Sequence, residues 1–372
     1  MAQENNKAKQ ENIQINKGAS KVYFKKIDSY SKTTEISKAA KELAELIQKE
    51  EKVLDFSKPL PLKVHFGEEG NVTFIEPKNY DGLINWLNDN TKSTNPKYPQ
   101  IFFTDTNVLY KGKRTTKESH MALAKEHGFI QLPVLIADGE AGEENTEIDI
   151  SSSGAKHFTK CKVGNAIAQN DQLIVLAHFK GHMLAGFGGA IKQLSMGCAA
   201  RPGKLAMHSQ ARPVINPLKC KKCLTCVKHC PVDACIISTI PHIDKKKCVG
   251  CAMCIAVCPY GAVGANWIST LPKEFNEKLA EYALAAQKDK KVIYINFAFN
   301  ITKECDCMGT KQKPVASDIG VLASTDPVAL DKACMDYLRE KEGKKVFSGD
   351  NVFTYAEKIG LGSMNYELVE VK

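Results

Sequence analysis

Fourteen cysteines occur in this 372-residue chain, and eight of them fall into a repeat that restricts what the chain can be. Cys220, Cys223, Cys226 and Cys230-Pro231 recur 28 residues later as Cys248, Cys251, Cys254 and Cys258-Pro259, and Ala234 recurs as Ala262. A repeat shorter than about 30 residues cannot bury a core alone, so two copies and the metal they hold form the unit. Disulfide frameworks belong to short chains that lack a core. This chain is long and 43% hydrophobic, so metal ligation in a reducing, cytoplasmic setting is the expectation. The polar start Met1-Ala2-Gln3-Glu4-Asn5 leaves export with a removed leader open as the alternative.

The spacing C-x2-C-x2-C-x3-C-P, used twice, is that of bacterial two-cluster ferredoxins. Three close thiolates wrap one corner of a cubane and the fourth crosses to the other cluster. Cys220, Cys223, Cys226 and Cys258 are thus expected to hold one [4Fe–4S] cluster, and Cys248, Cys251, Cys254 and Cys230 a second. Soft sulfur suits iron and the cluster sulfides. Zinc ribbons also use paired C-x2-C, but they do not need a duplicated triplet with a fourth cysteine before proline. Cys235 reads as a small core hydrophobe, as do Cys161 and Cys334. Between Ile215 and Ala265, seven lysines face two aspartates, a local charge of +5 within a chain of net +9. This basic excess suits an acidic redox carrier or an anionic substrate. No nucleic-acid module accompanies it, and no apolar run is long enough to span a membrane.

Elsewhere strands and helices alternate. Strands are expected at 62–66, 100–104, 134–137, 172–177, 292–297 and 319–323, and helices at 38–52, 81–87, 117–127, 273–286 and 327–341. Such alternation predicts an α/β fold: a mostly parallel sheet flanked by helices. Residues 1–20 read as a disordered tail, 21–214 and 266–372 as one discontinuous α/β domain, and 215–265 as an inserted α+β ferredoxin-like domain.

Ligands of parallel sheets bind beyond the carboxyl ends of the strands. Those ends carry His65 to Glu69, Asp105-Thr106-Asn107 with Tyr110 and Arg114, Asp138, His178 to His182, Asn296 and Asn300 near Cys305-Asp306-Cys307, and Asp326. His178 and His182 either serve a site or hydrogen-bond the backbone at a turn. With Asp105 and Arg114 they form the candidate catalytic set. Gly188, Gly189 and Lys192 either cradle an anion or provide close packing. Cys305 and Cys307 are too close for an ordinary disulfide. With Cys198 and the histidines they are candidates for one additional metal ion or a redox thiol. No nicotinamide or flavin fingerprint stands out.

The segments His178-Phe179-Lys180-Gly181-His182, Gly186 to Lys192 and Met196-Gly197-Cys198 resemble the family of iron–sulfur-centre proteins called domain of unknown function 362. The likeness extends to Val64 to Asn71, Asp105-Thr106-Asn107, Cys305-Asp306-Cys307 and Asp318 to Ala323, covering about residues 20–370. It implies ferredoxin-type clusters and an anaerobic setting, and it assigns no reaction. The expected function is an iron–sulfur oxidoreductase that passes electrons through two clusters to a small-molecule substrate or metal in the α/β domain. The alternatives are a non-enzymatic electron carrier or adaptor and a metal- or cluster-delivery factor.

Overall fold

A computed structural model describes residues 18–91, 99–209, 212–266 and 271–372; all but the last three residues of the expected tail lie outside them. The main sheet comprises β1 (Ser20–Lys26), β2 (Leu60–Lys63), β3 (Ile101–Asp105), β4 (Val134–Ile136), β5 (Gln172–His178), β6 (Lys291–Ala298), β7 (Gly320–Ser324) and β8 (Tyr366–Glu370). Its order is β8-β1-β7-β6-β5-β2-β3-β4. Ladders β1–β8, β5–β6, β2–β5, β2–β3 and β3–β4 are parallel, whereas β1–β7 and β6–β7 are antiparallel. The sheet is therefore mostly parallel, as expected, with β7 reversed. No helix intervenes between β6 and β7 among the described residues, so nothing carries the chain back for parallel pairing. The 299–319 segment turns at the sheet edge instead, and it leaves Cys305 and Cys307 there.

Both faces of the sheet are covered, which explains why its central strands are continuously apolar. Leu173 and Val175 of β5 point into one core with Leu279 and Leu330, while Ile174 and Leu176 point into the other with Leu43 and Leu83. The first helix, Thr33–Glu51, starts before its apolar stripe because its opening turn is polar, with Lys32 paired to Asp28 at 2.9 Å. Asp326 is a capping residue rather than a site residue. Its Oδ1 accepts from the Val328 and Ala329 amides at 2.9 and 3.0 Å, and its Oδ2 accepts from Ser20 Oγ at 2.9 Å.

Residues 213–265 pack around a smaller core of their own, which includes Ile215, Cys226, Ala234, Cys254 and Val263. They form two antiparallel ribbons, Pro213–Ile215 with Val263–Ala265 and Cys235–Ile236 with His242–Ile243. Two one-turn helices, Thr225–Lys228 and Met253–Ala256, complete the unit. The sequence repeat is also a backbone repeat. Lys222, Leu224 and Asp233 have φ of 52, 61 and 50°, and Gly250, Ala252 and Gly261, each 28 residues on, have 71, 61 and 59°.

Candidate functional site

The parallel strands β2, β3, β5 and β6 end on one edge, where a cavity of about 530 Å³ opens. His65 follows β2, Asp105 ends β3, and His182, Lys192, Cys305 and Cys307 reach the cavity from the segments after β5 and β6. Leu109, Met183, Leu184, Met196, Phe275 and Met308 supply apolar wall.

Asp105 is a buried anion among cations. Lys63 Nζ and Arg114 Nη2 each lie 2.9 Å from its carboxylate, and His120 Nε2 lies at 3.5 Å. Burial alone would raise this carboxyl, but Lys63 and Arg114, with His120, hold it well below the usual range. Arg114 also reaches His65 Nε2 at 3.0 Å and donates to His120 Nε2 at 3.1 Å. Asp105 and Arg114 thus reach the cavity as one ion-paired unit, with the guanidinium fixed for orientation rather than free to move.

His178 is placed differently. Its Nδ1 lies 3.0 Å from both Asp306 oxygens, and its Nε2 lies 2.7 Å from the Phe299 carbonyl. Both ring nitrogens are engaged, by Asp306 and by the Phe299 carbonyl, so the structure places His178 as a positioning residue rather than in the expected catalytic or ligating role. Lys180 Nζ completes the unit at 2.9 Å from Asp306. Burial opposes ionisation of Asp306, yet His178 and Lys180 hold its carboxyl far below normal.

His182, Cys305 and Cys307 do converge. One donor atom from each lies within 4.8 Å of the others, so this group could hold a metal ion. His182 Nδ1 accepts from the Ala185 amide at 3.0 Å, so the neutral ring carries its proton on Nε2, and ligation through Nε2 would move that proton to Nδ1 and break this hydrogen bond. Burial, with Lys192 beyond it, keeps the imidazole well below its usual pKa, and therefore neutral. The sulfurs of Cys305 and Cys307 are joined across a single intervening residue, and the metal donor set requires their reduced form. Cys198 is not part of the set: it is buried in the main core, with its Sγ 3.8 Å from the Gln193 carbonyl, and burial pushes its thiol up to about 11.

The glycine-rich segment is a packing device. The Ala190 and Ile191 amides, at the start of the Ala190–Ser195 helix, donate at 2.7 and 2.9 Å to the carboxylate of Asp331. A Cβ on Gly189 would sit 2.3 Å from that carboxylate. The anion position is therefore filled by the chain itself, which corrects the cofactor reading of Gly188 and Gly189. Gly188 and Lys192 instead line a small polar chamber with His65, His178, Lys180, Cys305 and Asp306, beside the main cavity.

In the insert, Cys220, Cys223, Cys226 and Cys258 line one cavity. Cys230, Cys248, Cys251 and Cys254 line another, with Cys235 in its wall. Four soft sulfurs around each hollow suit an iron–sulfur cluster as donor sets. The Ala234 and Ala262 amides, which are repeat-related, donate to Cys230 and Cys258 sulfur at 3.2 Å. Leu109 belongs both to the insert's core and to the wall of the α/β cavity, and the neighbouring Lys111 ammonium donates to the Pro259 carbonyl.

Sequence reading missed Lys63, His120, Lys204 and Asp331. Lys63 carried a usable signal, since a lysine inside the apolar run Leu60–Val64 must be buried with a partner. His120, Lys204 and Asp331 lie on helices, and nothing in their local patterns distinguishes them from surface residues.

No curated protein matches the chain. Solved structures that resemble it do so distantly. The lactate racemase apoprotein from Thermoanaerobacterium thermosaccharolyticum is 12% identical with a TM-score of 0.37, covering 83% of this chain and 54% of that one. A Thermotoga maritima protein solved by a structural genomics consortium is 10% identical with a TM-score of 0.41, covering 89% and 60%. The chain thus spans less than two thirds of the length of either. The family profile described as Domain of unknown function (DUF362) matches residues 61–336, and the chain belongs to that family.

Proposed function

We propose that this protein is an iron–sulfur oxidoreductase that takes electrons from an acidic carrier and delivers them to a small molecule in the α/β cavity. The observation that carries the reading is the pair of four-cysteine hollows in a basic insert whose core shares Leu109 with the cavity wall. Clusters held there would supply one-electron transfers at low potential. The chain's own residues account for the rest. Lys111 and Leu109 of the 108–114 loop link the insert to the cavity wall, which supports a short route between a cluster in the Cys220/Cys223/Cys226/Cys258 hollow and the cavity. The Asp105–Arg114 pair fixes a guanidinium toward the cavity, and His182 with reduced Cys305 and Cys307 can hold a metal at its polar end. Lys219, Lys221, Lys222, Lys228 and Lys245 to Lys247 give the acidic carrier its docking charge.

A second reading is favoured by the Cys305–Cys307 disulfide: the disulfide is itself the acceptor, its S–S bond taking two electrons and two protons to give two thiols.

Iron, zinc and acid-labile sulfide on anaerobically purified protein, with EPR before and after dithionite, tests both. About eight iron and eight sulfide are expected, from two cubanes. A zinc-loaded protein without sulfide would end the proposal. A further metal, lost in the Cys305→Ser/Cys307→Ser variant, favours the metal site. Two thiols gained on reduction, with no further metal, favour the dithiol.

A further inference from the structure

Five cations gather at the sheet edge, and four are committed. Lys63 and Arg114 pair with Asp105, Lys180 pairs with Asp306, and Lys204 donates to the Thr106 hydroxyl and to the Ala199 carbonyl at 2.6 Å. Lys192 differs. Among the described residues its ammonium makes no hydrogen bond or ion pair, although it lines both the main cavity and the small polar chamber. A half-buried ammonium in a cavity wall, with three open donors, favours an anion as ligand.

We propose that Lys192 anchors the carboxylate of a substrate whose apolar body lies against Leu109, Met183, Leu184, Met196, Phe275 and Met308. This rests on reading the cavity as the substrate site and names the class of molecule it takes. The chamber has about 20 Å³ of room, enough for a water or one carboxylate oxygen, and the second oxygen would remain on the cavity side. The nearby acids do not compete for Lys192: Asp105 and Asp306 are neutralised by their own cations, and Glu304 stands half-buried at the rim. A wholly neutral ligand would leave Lys192 without a counter-ion, whereas an inorganic anion would leave the apolar wall wet. A carboxylate on an apolar body satisfies both ends. It would also bring its near carbons beside Cys305, which lines the same chamber.

Calorimetry on the full, anaerobically purified, oxidised protein tests this with octanoate, octan-1-ol and acetate as probes. Octanoate should bind at least about tenfold more tightly than either of the others, the factor expected of a charge-assisted hydrogen bond. Lys192→Met should remove that preference while changing octan-1-ol affinity less than about threefold, and Lys192→Arg should retain most of it. Where Lys192→Met lacks a cooperative melting transition, Lys192→Gln carries the same expectation. Octanoate binding no tighter than octan-1-ol in the unaltered protein, or a preference that survives loss of the charge, would overturn the proposal. The measurement involves no electron transfer, so its failure leaves the redox reading to iron content and EPR, and a failure there leaves this result intact.

Discussion

The insert and the α/β edge both gather reactive side chains, but they do so by opposite means. In the insert, the eight repeat cysteines lie within 39 residues of chain, and backbone strain recurs at matched positions such as Leu224 and Ala252. Its apolar core is small, so the clusters proposed for it would supply much of its stability. At the α/β edge, His65, Asp105, His182 and Cys307 come from segments far apart in the chain. They are placed by a sheet with two full cores, which would stand without any ligand. On the proposed reading, one region is organised by its metal and the other by its fold.

The largest expected effect separates them directly. Chelating iron anaerobically should abolish amide-exchange protection across 213–265 while strands β2, β3, β5 and β6 keep theirs. Joint loss of protection would break the distinction and show that Leu109 and Leu205, which join the insert's core to the α/β domain, couple the two as one unit.

Next in size is Asp105→Asn. It leaves Lys63 and Arg114 buried without their anion and should destabilise the α/β domain by about 4 kcal/mol, the cost of breaking a buried pair on one side. Iron content should not change. Urea denaturation followed by far-UV circular dichroism reads the first effect and metal analysis the second. A loss below about 1 kcal/mol would mean that the network is solvated.

Acid titration offers a third separation. Burial, with Arg114 beside it, lowers His120 to about 4, against about 6.5 in the unfolded chain. The native state therefore binds fewer protons than the unfolded state below pH 6.5. The stability associated with His120 is fully present above pH 6.5 and is lost as pH falls toward 4, a total of about 3 kcal/mol. In His120→Asn, the slope of unfolding free energy between pH 6 and 5 should fall by about 1 kcal/mol per pH unit. An unchanged slope would mean that another group carries the titration.

The two regions were also unequally legible in the sequence. Ligand spacing in the insert is local, so the two sets of four cysteines could be named from one line of sequence. The strands β2, β3, β5, β6 and β7 were legible because each is an apolar run largely buried on both faces, and β4 as a short apolar run at the sheet edge. β1 was hidden by Lys21, Lys25 and Lys26, which flank only three buried residues, and β8 by its exposed edge. The site edge was legible as a list of strand-end residues but not as a set of contacts. The fates of His178, bound by Asp306, and of Gly189, closed by Asp331, depend on partners more than 100 residues away. No periodicity or spacing encodes such pairings. The same is true of Lys192, whose interest lies in lacking a partner among the described residues.

The smallest expected effect compares the two halves of the insert. Position 222 carries lysine at φ 52°, whereas its repeat partner 250 carries glycine at φ 71°. A Cβ in this left-handed region costs about 1 kcal/mol, and glycine returns part of that gain as unfolded-state entropy. Lys222→Gly should therefore stabilise the insert by about 0.5 kcal/mol, and Gly250→Ala should destabilise it by about 1 kcal/mol. The temperature at which the visible cluster absorbance is lost reports both changes, with the α/β circular dichroism transition as an internal control. If both variants shift the absorbance transition in these opposite directions and leave the control in place, the strain is local and is borne by the metal-bound loops. If neither moves it, ligand bonds alone set the insert's stability, and its two halves are equivalent despite the difference at this position.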